Sequence, residues 1–206
     1  SLGDEGPMLV VCYGEFMESM QPFVEWKNYK GIPIEMVDVA DIGDTDEIEA
    51  FVETKYYDDG IAFVLFVGDI DQIPSPRYSD GAGSNSPADP SYGFVTGSDY
   101  YPEIIIGRFS AEDTSHVETM INRTIEYEMD PDPTADWYKK GSGFASDQGP
   151  GDDGELDYEH LNNIRDDLLG FTYIEVDQIY DPSGTVEDGE VALNEGRSIV
   201  NYTGHG

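Results

Sequence analysis

Two short runs constrain this chain more than anything else in it: Met8 to Tyr13 (MLVVCY) and Ile61 to Val67 (IAFVLFV). Both lack the apolar–polar alternation of a strand with one wet face. Short, rich in β-branched residues and apolar on both sides, they read as parallel strands covered on both faces. Ile34 to Val39 reads as another strand. The segments between have helical spacing. Met20 to Lys30 places Met20, Phe23, Val24 and Trp26–Lys27 on successive turns and closes at Gly31. Thr45-Asp46-Glu47 opens a second helix reaching about Tyr57, with a hydroxyl and carboxylates suited to the free N–H groups and dipole of a helix start. Strand, helix, strand, helix, strand is the rhythm of a doubly wound α/β domain.

The character then changes. Gly68 to Pro102 is rich in Gly, Pro, Ser, Asp and Tyr and reads as a long structureless loop, a feature that is usually either functional or disordered. Ile104-Ile105-Ile106 predicts a fourth strand. Ala111 to Met129 predicts a helix, with Ser110 as N-cap and Glu112-Asp113 in its first turn. Asp130-Pro131-Asp132-Pro133 breaks that helix and sets a boundary between domains 1–132 and 133–206. The second half repeats the alternation: strand Gly141 to Ser146, loop Asp147 to Gly154, helix Glu155 to Leu169, strand Tyr173 to Ile179, helix Val186 to Asn194 and strand Ser198 to Tyr202. The expected fold is α/β, two Rossmann-like doubly wound subdomains with mainly parallel sheets. The second is truncated, with an open apolar edge beside Ser198–Tyr202.

Charge removes several function classes. With 44 acidic against 10 basic side chains, a net −34, the overall field repels nucleic acid and anionic membranes. The 38% hydrophobic content still supports a core. A single cysteine, Cys12, excludes an internal disulfide framework and a cysteine-based zinc site. Lying inside the first strand, it reads as a buried structural thiol. No run approaches the roughly 20 apolar residues of a membrane span. The start SLGDEGPMLV has no basic head or long apolar stretch, so it is no signal peptide, while a mature secreted chain fits. Gly81-Ala82-Gly83 opens no helix and has Ser86 where a dinucleotide loop needs glycine, and there is no phosphate-binding P-loop. His116 and His160 sit on predicted helices without a partner histidine one turn on, which leaves them as helix surface.

His205 carries the clearest chemistry. It follows a predicted parallel strand, where ligands and reacting groups of open α/β sheets gather, and it lies between Gly204 and Gly206. The Gly206 N–H is positioned by sequence to face a developing oxyanion. NYTGHG, VGDIDQIP, DYYPEIIIGRFS and FVEWKNYKG, in their order along the chain, together resemble the gingipain family of cysteine endopeptidases, over about Met8 to Gly206.

That resemblance implies a caspase-like fold for the second subdomain, after a Rossmann-like first one. It makes His205 the catalytic base and acid of thiol acyl transfer. The family's nucleophilic cysteine lies C-terminal to this histidine, so the chain supplies the histidine half and is inactive alone. The family's third catalytic residue, an acid that orients the imidazole, falls in Ser146-Asp147-Gln148-Gly149. Gln148 aligns with the acid of the arginine-specific members, and the adjacent Asp147 is the residue available to serve. Asp157, 48 residues before His205, matches the aspartate lining the basic-residue pocket of the arginine-specific members, which implies cleavage after Arg or Lys. Read from local sequence alone, Asp157 is instead a first-turn helix residue facing the dipole. The resemblance further implies structural Ca²⁺ at Asp69 and Glu103; the same oxygen-rich loops offer Asp99 as a candidate third ligand and Asp89, before Tyr92, as a candidate for a second site. It implies a secreted or cell-surface protein, a protein or peptide substrate, and the C-terminal remainder of the domain as partner. A competing reading is a non-catalytic, acidic, calcium-binding interaction module that keeps the fold. Gln148 favours it, while His205 and Asp157 oppose it. A small-molecule-binding domain lacks a phosphate loop.

Overall fold

In a computed structural model, which describes residues 6–78, 86–97, 99, 101–150 and 154–204, the chain divides into two units, Ser1–Pro131 and Asp132–Gly206. The first holds strands β1 (Met8–Cys12), β2 (Ile34–Asp38), β3 (Phe63–Val67), β4 (Arg77–Tyr78), β5 (Ser86–Pro87) and β6 (Ile105–Phe109). Its helices are α1 (Gln21–Tyr29), α2 (Thr45–Asp59) and α3 (Thr114–Met129).

β2-β1-β3-β6 form one all-parallel sheet. The continuous apolar runs follow from its two covered faces. Leu9 and Val11 of β1 join Val64 and Phe66 of β3 in a core completed by Ile48 and Val52 of α2. The alternate residues Val10, Cys12, Leu65 and Val67 meet Phe23 of α1 and Val117 and Ile121 of α3 on the opposite face. Period-2 side chains on a strand buried twice leave no polar position. α2 opens on a capping box, Asp44 accepting from the Asp46 and Glu47 N–H groups while Glu47 accepts from Asp44 N–H. It closes at Gly60, whose φ of 68° suits glycine.

The start of α3 corrects the sequence expectation. The helix begins at Thr114, three residues later than read, and its cap is Asp113, which accepts from the Ser115 and His116 N–H groups. A carboxylate outcompetes a hydroxyl for two helix-end donors, because the acceptor is charged and the dipole favours it. Ser110 instead donates to Asp69 at 2.7 Å.

The described parts of the segment after β3 also hold more structure than its composition suggests. β4 and β5 pair antiparallel, and a 3-10 helix covers Asp89–Gly93. Tyr92 within it is fully buried, packs its ring 4.8 Å from Phe66 and donates its hydroxyl to Pro74 O at 2.8 Å. Arg108 of β6 closes the loop with a two-point pair to Asp89 (2.6 and 2.8 Å) and bonds to the Gly68 and Ile73 carbonyls (2.9 and 3.0 Å). A guanidinium supplies the fan of donors that one ammonium lacks. Burial would raise the Asp89 pKa, but the Arg108 hydrogen bonds outweigh it and hold it low. Elsewhere in this unit Glu128 of α3 accepts from Trp26 Nε1 (2.8 Å), Lys27 and Lys30 (3.0 Å), which clamps α1 to α3.

The second unit contains β7 (Lys140–Ala145), α4 (Asp157–Phe171), β8 (Glu175–Tyr180), α5 (Val186–Glu195) and β9 (Ile199–Thr203). The sheet order is β8-β7-β9, all parallel. β7 is rich in small residues because its neighbours come close: a Cβ on Gly141 would lie 2.9 Å from Ile199, and one on Gly143 3.3 Å from Leu161 of α4. On the other face Phe144 packs against Gly189 of α5. Ser142, fully buried, donates to Asp177 at 2.6 Å, and Asp177 also accepts from Arg197, whose side chain is only 2% exposed. β9 forms one edge, with Val200 48% and Tyr202 61% exposed.

Candidate functional site at the sheet edge of the second unit

Parallel pairing brings the C-terminal ends of β7, β8 and β9 to one edge. Ser146 N–H donates to Thr203 O at 3.1 Å, and Asp181 N–H donates to Ala145 O at 2.9 Å. β9 therefore ends beside the loop that leaves β7. His205 and Gly206, the proposed base and oxyanion donor, lie outside the described residues.

Asp147 and Gln148 are exposed in the loop after β7. Asp157 is the first residue of α4, partly buried. The two segments are tied to each other: Asp157 N–H donates to Gln148 O at 3.0 Å, and the Ser146 hydroxyl donates to the Asp157 carboxylate. The same hydroxyl oxygen accepts from Gln148 N–H at 3.1 Å. Gly149, at φ 125°, lets the loop close on the helix start, since a Cβ there would sit 2.9 Å from Leu156 Cα. A Ser–Asp–Gln knot thus brings the pocket candidate and the candidate orienting loop to the end of β9. Ser146 was not singled out by sequence. Its partner lies eleven positions on, across an aperiodic loop, and nothing local marks it.

A cavity of about 450 Å³ opens at the same edge, lined by Phe144, Ser146, Ile179, Asp181, Leu193 and Tyr202 among others. Its walls are mainly apolar, with carboxylates at Asp181 and Glu190. Asp157 is not among its lining residues.

Cys12 is fully buried in β1, and burial, with Asp38 adding to it, pushes its thiol up to about 12. It stays protonated at neutral pH and is a core residue, as its strand position indicated. His116 lies 3.8 Å from Asp113, and His160 3.2 Å from Glu155, each on a half-exposed helix surface.

The cation candidates are held separately. Asp69 accepts from Ser110, and that bond lowers its pKa. Glu103 accepts from Thr96 Oγ1 (2.7 Å) and from the Val95 and Thr96 N–H groups, and these bonds, the hydroxyl first, lower its pKa. Asp99 accepts from Tyr101 N–H at 3.0 Å, and Asp89 is committed to Arg108. Among the described residues no three His, Cys, Asp or Glu side chains converge to hold a metal ion. Taken alone, the described carboxylates do not form a cation cage. No helix among the described residues is long and apolar enough to cross a membrane.

Comparison with known proteins shows the family and the fold. Gingipain R2 of Porphyromonas gingivalis is 35% identical over 210 residues, covering 98% of this chain and 28% of its own length. Gingipain R1 of the same organism is 36% identical over 208 residues, covering 98% and 20%. Lys-gingipain is 32% identical over 142 residues, covering 65% and 8%. The chain therefore spans about a quarter of the length of the first curated relatives it matches. The crystal structure of the Arg-specific cysteine proteinase gingipain R superposes with a TM-score of 0.83 at 34% identity, covering all of this chain and 48% of that one. That likeness extends over both α/β units and agrees with the caspase-like fold expected from the motifs. Residues 2–206 match the model of peptidase family C25, and with relatives above 30% identity across nearly the whole chain, the protein belongs to that family.

Proposed function

We propose that this chain is the histidine-bearing part of a cysteine endopeptidase that cleaves after Arg or Lys. The observation that carries the reading is the meeting, at one sheet edge, of Asp157, the Ser146–Gly149 loop and the end of the strand leading to His205. The likeness to an Arg-specific cysteine proteinase supports it.

In this reading the nucleophilic cysteine lies C-terminal to Gly206 and outside the chain, so the chain alone is inactive and its partner is that remainder. His205 takes the thiol proton. The thiolate attacks the scissile carbonyl carbon, and Gly206 N–H donates to the oxygen as it gains charge. His205 then returns the proton to the nitrogen as the C–N bond breaks, and water hydrolyses the thioester. Asp147 orients the imidazole, with Gln148 the alternative, and Asp157 accepts from the basic side chain of the substrate. Exposed Val200 and Tyr202 on β9 suit a sheet edge that the remainder covers. The protein acts outside the cell or at its surface. Calcium is a structural ion here, and Asp69, Asp99 and Glu103 would need backbone carbonyls and water to complete its shell.

The test is hydrolysis of Arg- and Lys-terminated reporter peptides by the product of the whole reading frame, with and without His205→Ala. Thiol-dependent cleavage that the substitution abolishes is expected. No cleavage by the calcium-loaded protein, after removal of any pro-segment, would turn the reading to a non-catalytic module.

A further inference from the structure

We propose that Ser146 is a positioning residue for substrate selection, one that sets the carboxylate of Asp157 for a basic side chain; this deepens the pocket reading above and rests on it. Three bonds meet on this serine. Its hydroxyl donates to Asp157 Oδ2, its oxygen accepts from Gln148 N–H at 3.1 Å, and its own N–H donates to Thr203 O at 3.1 Å.

The consequence for Asp157 is steric and electrostatic. As the first residue of α4 its carboxylate has an alternative, to turn toward the free N–H groups of its own helix start. In that orientation it caps a helix and offers little to a ligand. The Ser146 hydroxyl draws Oδ2 toward the end of β7 and leaves the lone pairs of Oδ1 for an incoming guanidinium or ammonium. The bond from Asp157 N–H to Gln148 O fixes the backbone, so that only the side chain is left to be set. Because Ser146 N–H is bonded to the last residue of β9, the carboxylate is referenced to the strand that leads to His205 rather than to its own helix start. The role requires a hydroxyl in this place, and threonine supplies one where alanine does not.

The experiment uses the full reading frame and measures kcat and KM separately on peptides ending in Arg, Lys and norleucine. Ser146→Ala is expected to raise KM on the Arg and Lys peptides about tenfold, the worth of one hydrogen bond to a charged group. The norleucine peptide is affected far less, so the basic-to-neutral selectivity ratio falls. Ser146→Thr is expected to restore the ratio. Asp157→Asn is run alongside and removes the basic preference. If Asp157→Asn removes that preference while Ser146→Ala keeps it, the positioning role is overturned and the pocket reading stands. If Ser146→Ala lowers kcat on all three peptides equally and threonine does not rescue, the serine is only structural and the inference fails. Retained basic preference in Asp157→Asn refutes the pocket reading, and the inference falls with it.

Discussion

Replacing Asp177 by asparagine removes one charge from a pair whose guanidinium is almost dry and whose carboxylate is about one-fifth exposed. Asp177 accepts from Ser142 at 2.6 Å and from Arg197 Nε at 2.7 Å, with Arg197 Nη2 at 3.3 Å. The amide keeps the shape and one acceptor, but the guanidinium, 2% exposed, loses its closest counter-charge. Glu195 at 3.3 Å and Glu175 at 3.7 Å remain near it, both about half exposed. Breaking a buried pair from one side typically costs 3–5 kcal/mol, and the two remaining carboxylates put this case near the low end, about 3 kcal/mol. For a unit of roughly 75 residues, at about 4–8 °C per kcal/mol, the melting temperature of that unit falls on the order of 15 °C. The pH dependence has a defined sign. Burial would raise the Asp177 pKa, but the Arg197 and Ser142 bonds outweigh it and hold it below its unfolded value. The wild-type advantage is therefore full above the unfolded carboxylate value of about 3.9 and is lost as pH falls through the folded pKa. The assay is thermal unfolding followed by Trp137 fluorescence in a Trp26→Phe background, since the chain has only two tryptophans, one in each unit. Glu35→Gln, which releases an exposed partner of Lys55, serves as control and costs no more than about 1 kcal/mol. A deficit for Asp177→Asn below about 1 kcal/mol at pH 7, or one that does not shrink in acid, would refute the assignment of a desolvated, charged pair.

Three further outcomes follow from the geometry. Asp113→Ala should destabilise the first unit through loss of the α3 cap, and Ser110→Ala by clearly less; urea titrations that reverse this order would restore the earlier helix start. Cys12 should resist alkylation at neutral pH until the first unit unfolds, because burial keeps its pKa near 12; labelling of the native chain at the rate of a free thiol would contradict this. Millimolar Ca²⁺ should raise the melting temperature, and Glu103→Gln should reduce that rise, if the ion binds where the motifs suggest; an equal shift in both proteins would move the site elsewhere.

Much of the fold was legible because it is written in local periodicity. β1 and β3 announced themselves as apolar on both faces, and the structure buries alternate residues of each in opposite cores. Helix ends were less legible. Ser110 and Asp113 are both good caps, and choosing between them depends on what else each can bond. Asp69, distant in sequence, takes Ser110 and leaves the helix to Asp113. The segment after β3 looked structureless because its order comes from elsewhere: Arg108, 19 residues beyond Asp89, holds it from β6. Of the candidate site, sequence singled out Asp147 and Asp157 one at a time but missed the serine that joins the second of these to the sheet.

The sequence by itself determined the alternation of strands and helices, the two parallel sheets and the burial of Cys12, since each follows from which neighbours a residue has along the chain. Tertiary structure alone decided which polar groups are shared: Arg108 with Asp89, Arg197 with Asp177, and Ser146 with Asp157. The physical reason is that burial is a property of a pattern and tolerates small shifts. A hydrogen bond must be met within a few tenths of an ångström by one donor and one acceptor, and only the folded backbone brings such a pair together.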